Sequence, residues 1–549
     1  MSSNRESAAE ENRKTAAATG KIGAAVMLSR VLGLLRDIFM VKLYGTSVLA
    51  DCFALAFKIP NLLRDLFAEG ALSQAFVTTF SKRLKEQGDV SAWQLANRVL
   101  SLVVVFMSAV TVVGILCAPW IVDLMLSFAD KSFGPQQRDL IVLLARIMYP
   151  FLLLVSLAAL VMGMLNAKQV FGMPALASCF FNLGCIIGGG ALGYWLDPAW
   201  KETSLIGISC GVLLGGLGQL LVQFPALRRV GFRFTWDTLW NESGVKKILS
   251  LMGPAMIAAS AVQVNVMVNA MFATSTGAGG VSALNYAFRL MQLPIGMFGV
   301  AVATVTLPAL SRAAVGGIRE EFSPTIARGM NLVTLLVLPC AVGLMVLAQP
   351  LVAVIFKGGD LHHRSTIMIA SALQCYGYGL LAYSWLKIVQ PAFYAMDRRW
   401  VPMFVSFVAM ACNFGLNWFM VRVLHWGHES LALTTSLVAV LNFVLLFGFL
   451  RHYVKNLRFG AIWRTLWRSS VAALLMGGFA WWAKGLYDLP DFPVSWWLSA
   501  LVLGIVIVLA AVIYFGLCLV LGVDEARDAM GMILRRVPFL KRFAPKLQK

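Results

Sequence analysis

Between Ser29 and Phe76 the chain reads SRVLGLLRDIFMVKLYGTSVLADCFALAFKIPNLLRDLFAEGALSQAF. This is apolar enough to cross a membrane twice, yet it holds Arg30, Arg36, Asp37, Lys42, Asp51, Lys58, Arg64, Asp65 and Glu69. An ionisable group at bilayer depth costs roughly 2.5–3.5 kcal/mol on insertion scales, so such groups persist where they face a water-filled cavity or one another. The excess is cationic, and the expected guest is an anion. Arg30 and Arg36 are six residues apart, which sets them about 120° from one another on a helix, flanking a wide polar face. Planar guanidinium groups hold phosphate oxygens through paired N–H donors. The same residues admit a second reading, in which Arg30 or Arg36 forms a fixed salt bridge with Asp37, Asp51 or Glu69. Both readings hold together if Asp51 orients an arginine that also binds a ligand. Lys58 and Arg64 repeat the six-residue spacing, and for Lys58 snorkelling to the interface competes with a place in the site. Gly33 lets the first helix bend or approach a neighbour closely. Pro60 predicts a local opening of the second helix's hydrogen-bond ladder.

The elements that must position these residues are membrane helices. The chain has 549 residues, 59% hydrophobic and 13% charged, with a mean hydropathy of +0.78; soluble domains are nearer 45–50% apolar and about 25% charged. Spans of about 20 apolar residues cross a ~30 Å hydrocarbon layer. Fourteen are read here, at 21–45, 51–80, 99–118, 139–164, 173–196, 204–225, 248–272, 282–308, 329–348, 365–390, 400–422, 429–450, 469–484 and 495–522. The first 20 residues read as a disordered polar tail, and 349–360 as a short interfacial helix. The net charge of +20 fits basic retention loops better than nucleic-acid binding. With the N-terminus inside, inner segments collect 31 Lys and Arg and outer segments 7, which puts both termini in the cytoplasm. Gly207, Gly211 and Gly215 read as helix packing, and Asn182, Asn265, Asn269 and Asn413 as hydrogen bonds between helices.

Several chemistries are not indicated. The nine cysteines form no CxxC pair, so neither a metal site nor a disulfide framework is expected. His425 and His428 have no third ligand nearby in sequence. No phosphate-binding glycine loop follows a strand, and no nucleophile elbow appears. No cofactor is implied. A transporter fits better than an enzyme.

An internal repeat appears at an offset of 231 residues: ALAFKIPNLLRDLFAEGALSQAFVTTFS (54–81) aligns without a gap to NYAFRLMQLPIGMFGVAVATVTLPALSR (285–312). Phe57 falls on Phe288, Lys58 on Arg289 and Phe67 on Phe298, whereas Arg30, Arg36 and Asp51 fall on Ala261, Met267 and Ser282. Charge needed only for packing should recur in both halves, so its confinement to one half favours ligand binding. The repeat predicts an all-α integral membrane protein of about 14 transmembrane helices. Its divisions are a tail (1–20), an N-lobe of six spans (21–225), a cytoplasmic linker (226–247) and a C-lobe of six spans (248–450). A basic cytoplasmic loop (451–468), two further helices (469–522) and a basic cytoplasmic tail (523–549) follow. The two lobes are related by an axis along the membrane normal, because both run in the same direction.

At SRVLGLLRD, then ADCFALAFKIPNLLRDLFAEGALSQAF, then YAFRLMQLPIGMFGVA, the chain closely resembles the MurJ (MviN) lipid II flippases of bacterial peptidoglycan synthesis, within the multidrug/oligosaccharidyl-lipid/polysaccharide exporter superfamily. The likeness covers roughly residues 21–522. It implies a multi-pass protein of the bacterial cytoplasmic (inner) membrane, with a role in cell wall biogenesis and cell shape. By alternating access it would carry undecaprenyl-pyrophosphate-linked disaccharide-peptide from the inner to the outer leaflet. The resemblance places substrate-binding positions at Arg30, Arg36, Asp51, Arg64 and Arg289, with Ser29, Asp37, Lys58 and Glu69 in support. It also implies two six-helix lobes around a central cationic cavity, with the last two helices forming a lipid groove that leads into it. Phe288 and Gln292 stand where some members carry acids, so Arg289 has no acid beside it in sequence. The membrane potential is the expected energy source, with the coupling ion open. Expected partners are lipid II, membrane lipids and the cell-wall synthesis machinery. The competing reading is a drug/cation antiporter of the same superfamily, whose cavity should be lined with acid.

Overall fold

The computed structural model describes residues 25, 27–315, 319–356, 363–454, 457–485 and 495–536, the last few of these for backbone alone, as are 68–71, 74, 254, 255, 257, 258, 261, 314, 315, 319, 320 and 529. The tail at 1–20 and the end of the basic tail lie outside the described residues. Every regular element described is helical. By packing the chain forms two compact units, Met1–Ser282 and Ala283–Lys549.

In the first unit, α1 covers 27–44 and α2 covers Val48–Arg64, with Ser47 as N-cap accepting from the Ala50 N–H at 3.3 Å. The helix continues through Pro60, and the irregularity comes later, as a π-helical turn over Asp65–Leu72. The local opening expected at the proline is thus displaced towards the charged turn. α3 (Ser73–Met125) is two helices meeting at Gly88, whose φ of 77° suits a residue without a Cβ. α4 (Pro135–Met148), α5 (Phe151–Ala167), α6 (Gly172–Leu183), α7 (Gly189–Leu196), α8 (Ser204–Leu221) and α9 (Phe224–Arg229) complete the spans read from sequence as the N-lobe. α10 (Ser243–Thr274) also packs here: Val245, Ile248 and Met252 join a core with Phe76, Phe80, Leu95, Leu160 and Met164. α6 and α7, separated by a π-helical turn at Gly184–Gly188, lie against α8 through facing glycines. A Cβ on Gly211 would collide with the backbone of Gly189, one on Gly207 with Gly193, and one on Gly184 with Gly215. The four-residue glycine spacing is therefore close helix packing, as the sequence indicated.

A brace of charge fastens the segment between α9 and α10 to the start of the apolar part of α3. Arg98 Nε donates to Asp237 Oδ2 at 2.8 Å and Arg98 Nη1 lies 2.9 Å from Glu242 Oε2, while Arg83 pairs with the other Glu242 oxygen. Asn97 donates to the Arg233 carbonyl at 3.2 Å and to Thr235 Oγ1 at 2.8 Å. The Asp237 carboxyl is held below its ordinary range by the Leu239 N–H and by Arg98, against the effect of burial. Burial pushes Glu242 up, and Arg83 and Arg98 together outweigh it to bring this carboxyl down as well.

The second unit takes in α11 (Gly280–Pro294) from Ala283 onward, then α12 (Val300–Val315), α13 (Arg319–Val346), α14 (Ala348–Phe356), α15 (His363–Gly377) and α16 (Leu380–Ala395). α17 (Trp400–Trp418), α18 (Glu429–Tyr453), α19 (Phe459–Lys484), α20 (Trp496–Val520) and α21 (Asp524–Arg536) follow. The segment 349–360, read as a short interfacial helix, is helical as α14 up to Phe356, and its remainder, 357–360, lies outside the described residues. α19 begins about ten residues before the predicted 469, because Arg464 and Arg468 made its first turns read as loop. Arg468 donates to the Gly522 carbonyl at 2.5 Å, so the cation caps the end of α20. α19 and α20 pack on α13 through Leu335, Ala472, Met476, Ala510 and Tyr514.

Nine of the described helices have the length and hydropathy of membrane spans. These correspond to expected spans three to six, eight, nine, eleven, twelve and fourteen; spans one and two fall short because their charges interrupt the apolar run. The π-helical turns carry the repeat further than identity does. Asp65–Leu72 and Ile295–Gly299 sit in spans two and eight, and Gly184–Gly188 and Phe419–Val423 in spans five and eleven, which are the paired spans of the two halves.

Two outcomes follow from this packing. Gly211→Ala should destabilise the chain by about 1–3 kcal/mol, seen as a lower melting temperature in detergent, while Gly218→Ala, whose Cβ meets only ordinary contacts, should not. Because the Asp237 and Glu242 carboxyls titrate lower folded than unfolded, the brace contributes fully above the unfolded values near about 4 and is lost as pH falls through the folded ones. Melting temperatures should accordingly drop below about pH 4 more steeply in the parent than in an Asp237→Asn/Glu242→Gln double variant.

Candidate functional site

α1 reaches its position through small and polar groups. The Asn182 amide of α6 donates to the Ser29 carbonyl at 3.2 Å, and a Cβ on Gly33 would lie 3.8 Å from the same amide. At the far end, Tyr44 Oη lies 2.6 Å from Ser204 Oγ on α8. Ser29 thus enters through its carbonyl, and Gly33, read as a point of close approach, has room there for an ordinary contact with the same amide.

Arg36 is pinned on this frame. Its Nε and Nη2 donate to Asp37 Oδ1 at 3.3 and 3.1 Å, and its guanidinium carbon stands 5.8 Å from the Phe181 ring centroid. Phe181 contacts Phe151, which contacts Phe57, so an aromatic run links α6, α5 and α2 beside the cation. Arg64 repeats the device on α2: its Nε and Nη2 donate to Asp65 Oδ1 at 3.1 and 2.8 Å. In both pairs a carboxylate next in sequence takes two of five guanidinium N–H donors with one oxygen. The salt-bridge reading is therefore realised by sequence neighbours. Such a pair lowers the cost of keeping the cation at depth and fixes its direction. Asp65 in this role went unmarked in the sequence; the recurring Arg–Asp dipeptide was the available signal.

Arg30 and Lys58 are both half-buried, and among the described residues neither has an ion-pair partner. The Glu69 side chain lies outside the described residues. Arg289 is an exposed residue of α11 in the second unit. Its neighbour Phe288 packs edge-on to Tyr376 at 5.5 Å, so an aromatic contact occupies the position where some relatives were expected to carry an acid.

Asp51 is placed differently from the arginines. Fully buried, it accepts the Gly279 N–H at 2.6 Å and the Ser282 N–H at 2.7 Å, both within the first unit. These are orphan donors of the first turn of α11, so Asp51 serves as a cap supplied from another helix. Gly279 holds φ at +88°, and a Cβ there would strike the Thr46 carbonyl. Ser282 is also the residue on which Asp51 falls in the repeat, so the paired helix starts meet each other. Among the described residues Asp51 has no salt bridge to an arginine.

A helical, multi-span architecture with paired halves, and cations held in its first two spans, defines a membrane transporter. The same fold is found in a solved multidrug resistance MATE family transporter of the MOP superfamily in its inward-facing conformation, with a TM-score of 0.65 at 15% identity over 80% of this chain and 98% of that one. A structure described as lipid II flippase MurJ, inward closed conformation, gives 0.71 at 23% identity, covering 90% and 97%. A probable lipid II flippase MurJ of Bdellovibrio bacteriovorus is 32% identical over 519 residues, 94% of this chain and 96% of that protein. The family model "Lipid II flippase MurJ" matches residues 40–507. The chain belongs to the lipid II flippase MurJ family: a transporter and not an enzyme, in the bacterial cytoplasmic membrane.

Removing the Asp51 carboxylate leaves two buried N–H donors without acceptors, at about 1–3 kcal/mol each. Melting temperature should fall in the order parent, Asp51→Asn, Asp51→Ala, since the amide retains one acceptor oxygen.

Proposed function

We propose that this chain moves lipid II across the cytoplasmic membrane and that the arginines of its first two spans grip the pyrophosphate. The observation that carries this reading is the pair of devices Arg36–Asp37 and Arg64–Asp65, each a guanidinium whose direction is fixed by the carboxylate next to it in sequence. Arg30 adds a cation without an ion-pair partner among the described residues. Lys58 supports them, and Arg289, an exposed cation of the second unit, stays a substrate-binding candidate on the family resemblance alone. Asp51 acts on geometry, by holding the start of α11, and does not touch phosphate.

Binding must replace the water of two phosphates and still release them. Arginine suits both demands, because its planar fork is weakly hydrated and its bond to a phosphate is directional. Release follows when a change of conformation withdraws one set of donors, as in alternating access. With both termini in the cytoplasm, an inside-negative potential favours outward movement of the anionic headgroup by roughly 2.3 kcal/mol per charge per 100 mV. The isoprenoid tail stays in lipid along α19 and α20, whose outer faces carry exposed Trp481, Trp482, Leu501 and Val508. An organic-cation antiporter needs a carboxylate available to its guest. Asp37 and Asp65 are already turned to arginines.

The test is outer-leaflet exposure of lipid II in cells depleted of their own flippase, expressing either the parent or Arg36→Ala at matched membrane levels. Exposure should return with the parent and fall at least tenfold in the variant, about the ~1.5–3 kcal/mol of a charged hydrogen bond. Restoration by both removes Arg36 from the mechanism. Restoration by neither, with the parent folded in the membrane, overturns the function.

A further inference from the structure

The segment joining α9 to α10 has two faces. One is polar and occupied: the Arg233 carbonyl, Thr235, Asp237 and Glu242 are all fastened to Arg83, Asn97, Arg98 or Ser101 of α3. The other is apolar and open: Phe234, Trp236 and Leu239 are 52, 56 and 64% exposed, with the Phe234 and Trp236 rings edge-on at 6.3 Å. Alternation with Arg233, Thr235 and Asp237 sends Phe234 and Trp236 away from α3, and Leu239, beyond Asp237, is exposed beside them. Around them stand five exposed cations, Arg228, Arg229 and Arg233 before the aromatic pair and Lys246 and Lys247 after it. The only acids in the segment, Asp237 and Glu242, are neutralised by α3.

The level of this surface is set by what it is fastened to. Asn97, Arg98 and Ser101 mark the point where the charged stretch of α3 gives way to VLSLVVVF. The segment itself begins where the apolar span Ser204–Arg229 ends. Both markers put it at a membrane–water boundary. Aromatic rings rest there with their apolar bodies in the headgroup region, and Lys and Arg beside them favour lipids of negative charge.

We infer that residues 228–247 form a docking strap for an anionic lipid surface, the brace to α3 holding Phe234, Trp236 and Leu239 outward so that they insert among headgroups while the five cations pair with lipid phosphates. The segment is then a fixed foot on the leaflet and not a slack connection between spans. It is separate from the arginines of α1 and α2, and its occupant is the bilayer surface rather than transported substrate.

The full chain is reconstituted in phosphatidylcholine vesicles containing a trace of photoactivatable phosphatidylglycerol or, in parallel, of the matching phosphatidylcholine probe. Labelled peptides are mapped by mass spectrometry. Peptides spanning 228–247 should be labelled severalfold more by the phosphatidylglycerol probe, while peptides of α20 around the exposed Trp497 should take both probes equally. A variant with Arg228, Arg229, Arg233, Lys246 and Lys247 changed to Gln should lose that preference and keep the α20 labelling. Phe234→Ser/Trp236→Ser should lower labelling of the strap by either probe. Equal labelling of the parent's strap by the two probes, or none by either, overturns the proposal, as does a preference that survives the Gln variant. If a variant loses its α20 labelling through misfolding, the comparison of the two probes on the parent still decides.

Discussion

A cation at membrane depth must be compensated without being neutralised, and the first unit is arranged around that constraint. Burying Arg36 or Arg64 alone is prohibitive, and pairing either fully with a distant acid would consume the donors a ligand needs. A carboxylate one residue along the helix answers both requirements. It is always within reach, takes two N–H groups through a single oxygen, and leaves the rest of the fork in place. The surrounding apparatus keeps α1 where this works: the Asn182 bond to Ser29, the Tyr44 contact with Ser204, the Phe181 ring under Arg36, and the glycine contacts that let α6 and α7 lie on α8.

The two halves of the chain share a backbone plan more than a chemistry. Paired spans carry π-helical turns at matching places, although few side chains agree. A π-helical turn widens the helix and frees backbone groups, and it survives in structures mainly where the irregularity is useful. Its recurrence with and without the neighbouring charges separates two roles. The turns belong to the framework that both halves share, and the charges of α1 and α2 are particular to the first half. Asp51 illustrates the first role. Its carboxylate caps the helix start that the repeat pairs with its own, so a residue that the resemblance places in the binding site also holds the framework.

Much of this was legible in the sequence, for identifiable reasons. Apolar runs of span length gave the helical membrane class, the six-residue arginine spacing gave a polar helix face, and the glycine spacing gave close helix packing, though not the partner helices. What escaped depended on contacts distant in sequence or on backbone detail. The cap from Asp51 to Gly279 and Ser282 crosses more than two hundred residues of chain. Pro60 suggested where α2 would open, yet the helix absorbs it and opens at Asp65 instead. The brace on Asp237 and Glu242 could not be seen because its arginines read as orientation signals, which they are as well. The start of α19 was hidden by Arg464 and Arg468 for the same reason.

The central claim is that the oriented arginines of α1 and α2 recognise the pyrophosphate of a lipid-linked anion. The most direct measurement is a binding titration of the purified chain in nanodiscs with undecaprenyl-pyrophosphate-linked disaccharide-peptide, alongside an organic cation, for the parent and for Arg36→Gln/Arg64→Gln. The account predicts saturable binding of the anion by the parent, at least tenfold weaker binding by the double variant of equal melting temperature, and no competition by the cation. Equal affinity in parent and variant, or displacement of the anion by the cation, contradicts it.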